Sequence, residues 1–259
     1  LLALTGLDLV SVVKLDFLFW DLVAAAGMYL WLRRGLVLSK TASLVGAIFY
    51  LYSPANISQV FVRGSLREFA GAAIFPFVLL EIKNLSERVG LSTIGKAGFL
   101  IGIFLLTDGI TVVMFLPLIL IYLAYLFFTS ERKAHFAAGI ALSSLLSFLT
   151  ASYIYLPFMS EMKFLRGPTN YYLEHFVYWW QLFDYHWGFG FSLAGQNDSM
   201  SFQLGIINLA AVFLLVILFF KRRLSLSVLD KLFLFSLVCY LSLMVEGPAS
   251  HFIWRAASP

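Results

Sequence analysis

The amino-acid sequence is a succession of eight apolar runs separated by short polar or charged breaks. The runs lie at roughly 17–32, 38–53, 69–82, 97–106, 110–128, 135–158, 203–220 and 231–246. None has the strict apolar and polar alternation of a barrel strand, so helices are predicted throughout. An apolar run of about 20 residues suits a helix that crosses a hydrocarbon core about 30 Å thick. The sequence therefore predicts an all-α polytopic transmembrane bundle with about eight spans.

Two of these runs are too short to cross a bilayer by themselves. The runs at 69–82 and 97–106 complete a span only if they include polar flanking residues or are partly buried among other helices. The whole chain is 61% hydrophobic and 12% charged, whereas soluble domains are about 25% charged, which excludes a water-soluble enzyme. The interpretation is a single transmembrane domain over 1–259, with the bilayer as its first partner.

Positive charge is distributed unevenly between alternate loops. The larger set of basic residues comprises Arg33, Arg34, Lys40, Lys83, Arg88, Lys96, Arg132, Lys133, Lys221, Arg222, Arg223 and Lys231. The smaller set comprises Lys14, Arg63, Arg67, Lys163, Arg166 and Arg255. Since Lys and Arg favour cytoplasmic loops, this asymmetry predicts a plasma-membrane protein whose 159–202 loop is extracytoplasmic. The scattered clusters do not form one basic face, so no nucleic-acid partner is predicted.

The first candidate site is the segment Arg63-Gly64-Ser65-Leu66-Arg67-Glu68, at the predicted outer surface. Arg63 and Arg67 are four residues apart and would share a face of a helix. Two guanidinium groups could then bind a phosphate at headgroup depth, with Glu68 beside them as a partner or base. The alternative is interfacial snorkelling with an Arg–Glu pair that fixes the entry of the helix.

The second candidate is Asp108, the only charged residue between Lys96 and Glu131. An ionisable side chain within an apolar region indicates a functional role. In the alternative, Thr107-Asp108-Gly109 is a turn in which Asp108 caps the following helix.

The third candidate is the loop at 159–202, which is rich in aromatic residues. Its tryptophans, including Trp187, are typical of an interfacial belt. Together with polar groups, aromatic rings also suit a carbohydrate or lipid-phosphate cleft. The polar groups in and beside this loop are Glu161, Glu174, His175, Asp184, His186, Asn197, Asp198 and Gln203. No cofactor is identified from these residues, no metal-ligand spacing occurs, and the involvement of a divalent metal is left open.

Several segments resemble a family of large bacterial and archaeal multi-pass proteins, the 6-pyruvoyl-tetrahydropterin synthase-related membrane proteins. The resemblance extends from about Met28 to Leu209. Its first segments are Tyr50-Leu51-Tyr52-Ser53-Pro54, Val62-Arg63-Gly64-Ser65-Leu66-Arg67-Glu68-Phe69-Ala70 and Phe75-Pro76-Phe77-Val78-Leu79-Leu80. Its later segments are Leu156-Pro157 with Glu161, His175-Phe176-Val177, Gln181-Leu182, Trp187-Gly188-Phe189-Gly190 and Asp198-Ser199-Met200-Ser201-Phe202-Gln203-Leu204-Gly205.

This family is similar to the GT-C superfamily of membrane glycosyltransferases. The resemblance implies a GT-C-like fold and an enzyme that takes a sugar from a polyprenyl-phosphate carrier at the outer face of the membrane. The acceptor would be an envelope glycan, a lipid or a protein. The resemblance also implies an acidic general base in a first outer loop. We expect the chain to be an internal part of a longer protein, with that base upstream of Leu1. The alternatives are a non-catalytic carrier or flippase of lipid-linked glycans, and a membrane scaffold.

Overall fold

The computed structural model describes residues 6–164, 175–196, 198–221 and 225–257, and these residues are helical apart from loops and isolated bridges. The α-helices are α1 (Leu9–Leu30), α2 (Lys40–Leu51), α3 (Pro54–Ser58), α4 (Leu66–Glu87), α5 (Leu91–Thr107), α6 (Gly109–Thr129), α7 (Lys133–Glu161), α8 (Ile206–Phe220), α9 (Val228–Met244) and α10 (Pro248–Ala257). The all-α prediction is confirmed for this part of the chain.

Each predicted apolar run overlaps one helix, while the short α3 and α10 were not predicted. By length and composition, three helical stretches among the described residues could cross a membrane: Leu66–Glu87, Gly109–Thr129 and Lys133–Phe164. The last of these is α7 with the 3₁₀ turn that follows it. These stretches identify a multi-pass membrane protein, and the count of eight spans stays a prediction.

Short polar residues fix where several helices begin. Asp8, Ser39 and Ser53 accept backbone N–H bonds at the starts of α1, α2 and α3. Hydrogen bonds from the side chain and amide of Ser11 lower the pKa of Asp8. Ser227 and Asp230 bond reciprocally at the start of α9. Such caps satisfy amides that have no partner inside the helix.

The chain divides into two compact units. The first unit is Leu1–Tyr52 with Gly64–Leu165, and the second is Ser53–Arg63 with Arg166–Pro259. The second unit is therefore built from two separate stretches of sequence. The prediction of a single domain over 1–259 remains open.

Helix α4 is the central helix of the first unit. It contacts α1, α5 and α6. In its most apolar stretch of 18 residues, 67% of the residues are buried. The hydroxyl of Tyr50 on α2 donates a 2.6 Å hydrogen bond to the carbonyl oxygen of Ala72 on α4. The apolar run at 69–82 is thus extended by polar flanks and covered by its neighbours, as its short length predicts.

Helices α5 and α7 pack side by side through small residues. Ser143 and Ser147 of α7 donate hydrogen bonds to the carbonyl oxygens of Ile94 and Gly98 of α5, at 3.3 Å and 2.9 Å. Further along, the hydroxyl of Tyr155 donates to the carbonyl oxygen of Leu105 at 2.8 Å. The bonded positions advance together along both helices, so α5 and α7 run parallel. Glycine and serine allow this close backbone approach within a membrane.

Within the second unit, the loop after 175 is tied to the C-terminal helices. Val177 donates through its amide to Met244 and accepts from Glu246, and the ring of Phe176 lies 4.7 Å from that of His251. The loop then ends at Gly205, against Pro54. The predicted loop start at 159 is too early, because α7 and its 3₁₀ turn continue to Phe164.

Candidate functional site

A small polar cavity lies within the loop of the second unit. Its volume is about 120 Å³, and its wall is formed by polar side chains, aromatic rings and a glycine. The lining residues are Trp180, Gln181, Asp184, His186, Gly188, Gln196, Asp198, Met200, Ser201 and Phe202. A cavity that combines ring surfaces with a few polar groups is the usual form of a small-ligand site.

A narrow hairpin forms one wall of this cavity. Phe189 and Met200 form an antiparallel bridge, and Gly190 donates through its amide to the carbonyl oxygen of Ser199 at 2.9 Å. A Cβ on Gly188 would overlap the Ser199 carbonyl oxygen, and one on Gly190 would overlap the Ser199 side chain. Both glycines are therefore required for the two strands of the hairpin to approach each other.

Gln181 and Asp198 hold the loop in shape. Oε1 of Gln181 accepts the amide of Tyr178 at 2.7 Å, and Nε2 donates to Oδ2 of Asp198 at 3.5 Å. Oδ1 of Asp198 accepts the amide of Leu193 at 2.7 Å. Gln181 is buried, with 9% of its surface exposed. The side chains of Gln181 and Asp198 already form hydrogen bonds within the protein. Their main role in ligand binding would therefore be to fix the shape of the cavity wall.

The groups that remain available to a ligand lie around Trp180. Its ring stacks on Tyr178 with centroids 4.8 Å apart, and 38% of the residue is exposed. Oδ1 of Asp184 accepts the amide of His186 at 3.0 Å, and the Nδ1 of His186 lies 3.5 Å from the same oxygen. The cavity thus offers a supported aromatic face beside a carboxylate and an imidazole.

The structure brings three of the predicted polar loop residues, Asp184, His186 and Asp198, to the cavity and leaves the other described ones elsewhere. Asp198 lines the cavity, whereas Trp187 is exposed outside its lining. His175 lies 3.5 Å from the hydroxyl of Ser192, and Nε2 of Gln203 is buried without a hydrogen-bond partner among the described residues. Glu161 lies at the end of α7, in the first unit. Glu174 and Asn197 fall outside the described residues.

Sequence reasoning did not select Gln196 and Ser201 as lining residues. Ser201 lies in the segment 198–205 that carries the family resemblance but was given no role there, and Gln196 has no motif or spacing that separates it from an ordinary loop residue. The pairing of Gly190 with Ser199 brings their neighbours to the cavity. The nearest signal in the sequence was the pair of glycines in Trp187-Gly188-Phe189-Gly190.

The arginine segment is divided by the boundary between the units. Arg63 ends a π-helical turn of the second unit, with Nη1 3.5 Å from Oε1 of Gln59. Gly64 has a φ of 58°, which interrupts the helix before α4 begins. Arg67 and Glu68 lie in the first turn of α4, in the first unit. A continuous helical face shared by Arg63 and Arg67 is therefore not present, and their binding of one phosphate stays a prediction.

Asp108 is the N-cap of α6. Its Oδ2 accepts hydrogen bonds from the amide of Thr111 at 2.9 Å and from its hydroxyl at 3.0 Å. This geometry agrees with the alternative in which Asp108 caps the following helix. A role for Asp108 in binding substrate stays a prediction. Over the described ranges, there is no group of three or more His, Cys, Asp or Glu side chains that could hold a metal ion.

Comparison with known proteins adds no assignment. The chain matches no family model, and neither a curated protein nor a solved structure matches it. The family resemblance and the GT-C-like fold therefore remain predictions, and any function must be argued from the residues themselves.

Proposed function

We propose that the protein is a GT-C-like membrane glycosyltransferase that uses a polyprenyl-phosphate-linked sugar at the outer face of the membrane. The observation that carries this proposal is the cavity beside Trp180, in the loop of a multi-pass helical protein. In this proposal, the cavity receives the sugar of the donor or acceptor, and the polyprenyl chain stays in the lipid.

The chemistry of the cavity suits a sugar ring. A pyranose has an apolar C–H face and a rim of hydroxyl groups that both donate and accept hydrogen bonds. The Trp180 ring offers an apolar surface to that face. Asp184 provides carboxylate acceptors, and Gln196 and Ser201 provide both donors and acceptors for the hydroxyls. Ligand sites for drug-sized molecules occupy about 300–1,000 Å³, so about 120 Å³ suits a single sugar unit.

Replacing Trp180 by alanine is expected to weaken saccharide binding about fivefold, because ring stacking contributes roughly 1 kcal/mol beyond the burial of area. The measurement is binding and transfer by the full-length protein in proteoliposomes, with polyprenyl-phosphate-linked mannose, glucose and galactose, each radiolabelled in the sugar. Trp179→Ala is the matched control, because Trp179 is the adjacent ring, is 64% exposed and does not line the cavity. Equal effects of the two substitutions would show that the cavity is not the sugar site.

Arg63 is proposed to bind the donor phosphate. It is exposed in the second unit, and a guanidinium binds phosphate through two parallel N–H groups. Arg63→Ala is expected to reduce binding of the polyprenyl-phosphate sugar about tenfold, and Arg63→Lys should recover part of the loss. The melting temperatures of the detergent-solubilised variants test the alternative, in which Arg63 only fixes the entry of the helix. Normal affinity with a lowered melting temperature would remove Arg63 from the site.

The second candidate function is a carrier or flippase that binds lipid-linked glycans without reacting them. This function is favoured because both carboxylates that line the cavity already accept hydrogen bonds. Asp198 accepts the amide of Leu193, and Asp184 accepts the amide of His186. Both carboxylates of the lining are thus already hydrogen-bonded, which leaves the imidazole of His186 as the candidate base among the lining residues. Binding without any transfer of label by the full-length protein would support the carrier and exclude the enzyme.

A further inference from the structure

A larger cavity lies within the first unit, at the end opposite Asp108. Its volume is about 660 Å³, and it is enclosed by the end of α4, the end of α6 and the start of α7. The lining residues are Lys83, Leu85, Ser86, Glu87, Arg88, Val89, Leu126, Thr129, Ser130, Glu131, Arg132, His135 and Phe136. The proposed sugar cavity lies in the second unit and shares none of these residues.

The surface of this cavity is supplied mainly by charged and hydroxyl side chains. Leu85, Leu126 and Phe136 are 0%, 3% and 2% exposed, so they support the wall from behind and offer the cavity almost no surface. Arg88 and Arg132 are exposed at the rim. A polar cavity with exposed arginines, at the ends of three stretches that could cross a membrane, suits an anionic lipid headgroup.

The charges of the rim favour an anion. Lys83 and Glu87 form an ion pair at 3.0 Å and neutralise each other. Of the remaining charges, Arg88 and Arg132 oppose Glu131, which leaves one net positive charge when His135 is neutral. In the part of the chain that the structure describes, the guanidinium groups of Arg88 and Arg132 have no ion-pair partner.

The carbonyl groups at the two helix ends are partly covered. The hydroxyl of Thr129 donates to the carbonyl oxygen of Tyr125 at 2.9 Å, and the hydroxyl of Ser86 donates to that of Lys83 at 2.7 Å. Both carbonyls lie just before the last four carbonyls of their helices, so the C-terminal ends of α4 and α6 keep their partial negative charge. The two guanidinium groups carry full positive charges, against a partial negative charge of roughly half a unit at each helix end.

We propose that this cavity binds the phosphate headgroup of an anionic phospholipid, with Arg88 and Arg132 as the phosphate ligands and the acyl chains in the surrounding lipid. The charge asymmetry of the loops places this end at the cytoplasmic leaflet, where anionic lipids attract basic residues. The volume lies within the range of small-ligand sites. The site is independent of the proposed glycosyltransferase activity.

The test is native mass spectrometry of the full-length protein, with lipid titrated into detergent micelles. The probes are dioleoyl phosphatidylglycerol, dioleoyl phosphatidylcholine and inorganic phosphate. Wild-type protein is expected to retain phosphatidylglycerol in preference to phosphatidylcholine. Arg88→Gln and Arg132→Gln should each weaken this binding about fivefold, and the double variant roughly 25-fold. Melting in phosphatidylcholine alone checks that the variants remain folded.

Lys133→Gln is the matched control, because Lys133 is exposed beside Arg132, has the same charge and does not line the cavity. Retention of phosphatidylglycerol by this control, with loss in the arginine variants, supports the site. An equal loss in the control would show general surface attraction and overturn the proposal. Competition by inorganic phosphate as strong as that by the lipid would overturn it also, because the cavity would then be a site for free phosphate.

Discussion

Replacing Gly98 by leucine is expected to lower the free energy of unfolding by about 3 kcal/mol, because α5 has no room for a side chain at this position. A Cβ on Gly98 would lie 2.7 Å from Cδ2 of Leu146 and 2.9 Å from its Cβ. The second of these atoms is fixed to the backbone of α7, so the helices must move apart. That movement also lengthens the hydrogen bond from Ser147 to the Gly98 carbonyl oxygen.

Gly95→Leu is the control for this prediction. Gly95 lies in the same helix, and a Cβ built there meets nothing within 4 Å. Leucine at this position should be neutral or should stabilise the helix by up to about 1 kcal/mol, since glycine is a poor helix former. The free energies of both variants are measured by SDS titration in mixed micelles. Equal stabilities would contradict the close packing of α5 on α7.

Replacing Gly205 by alanine is expected to cost about 3 kcal/mol in the second unit. Its φ is 85°, a conformation that costs an L-residue roughly 1–2 kcal/mol. A Cβ would also lie 2.7 Å from Cγ of Pro54, and relieving that overlap costs about 1–3 kcal/mol more. Separation of Gly205 from Pro54 should loosen the start of α3. Hydrogen exchange at the amide of Ile57, which bonds to the Ser53 carbonyl oxygen, reports this directly.

Gly195→Ala separates the two contributions. Gly195 has the same φ of 85°, but a Cβ there has nothing within 4 Å. In this variant the free energy of unfolding should fall by only about 1 kcal/mol, the cost of the backbone conformation. Hydrogen exchange at the amide of Ile57 should be unchanged. Faster exchange at Ile57 in both variants would indicate a general loosening of the unit instead of a local contact.

Most of the helices could be predicted from the apolar runs because a helix in a membrane satisfies its own backbone. The ends of the helices were harder to predict from the sequence, and α7 shows why. Pro157 and the polar residues after it suggest an end, yet α7 continues to Glu161. Helix α10 was missed because His251 and Arg255 interrupt its apolar character. A count of apolar residues detects neither the continuation of α7 past Pro157 nor a short helix that contains charged residues.

The candidate site was only partly accessible from the sequence. Asp198 was selected for its charge within an aromatic loop, and it does line the cavity. Gln196 reaches the same cavity through a hairpin pairing that no local pattern specifies. Arg63 and Arg67 were grouped by a spacing that assumes continuous helix, whereas the positive φ of Gly64 breaks it. Distances across a turn depend on backbone angles that sequence spacing alone does not fix.

The division of the second unit into two stretches of sequence has a consequence for synthesis. Segment 53–63 leaves the ribosome before most of the first unit, but Gly205, which Pro54 packs against, comes much later. Helices α4 to α7 are thus translated while that segment has only its own short turns. A ribosome that stalls between α7 and Gly205 would display an intact first unit with an unfinished second one.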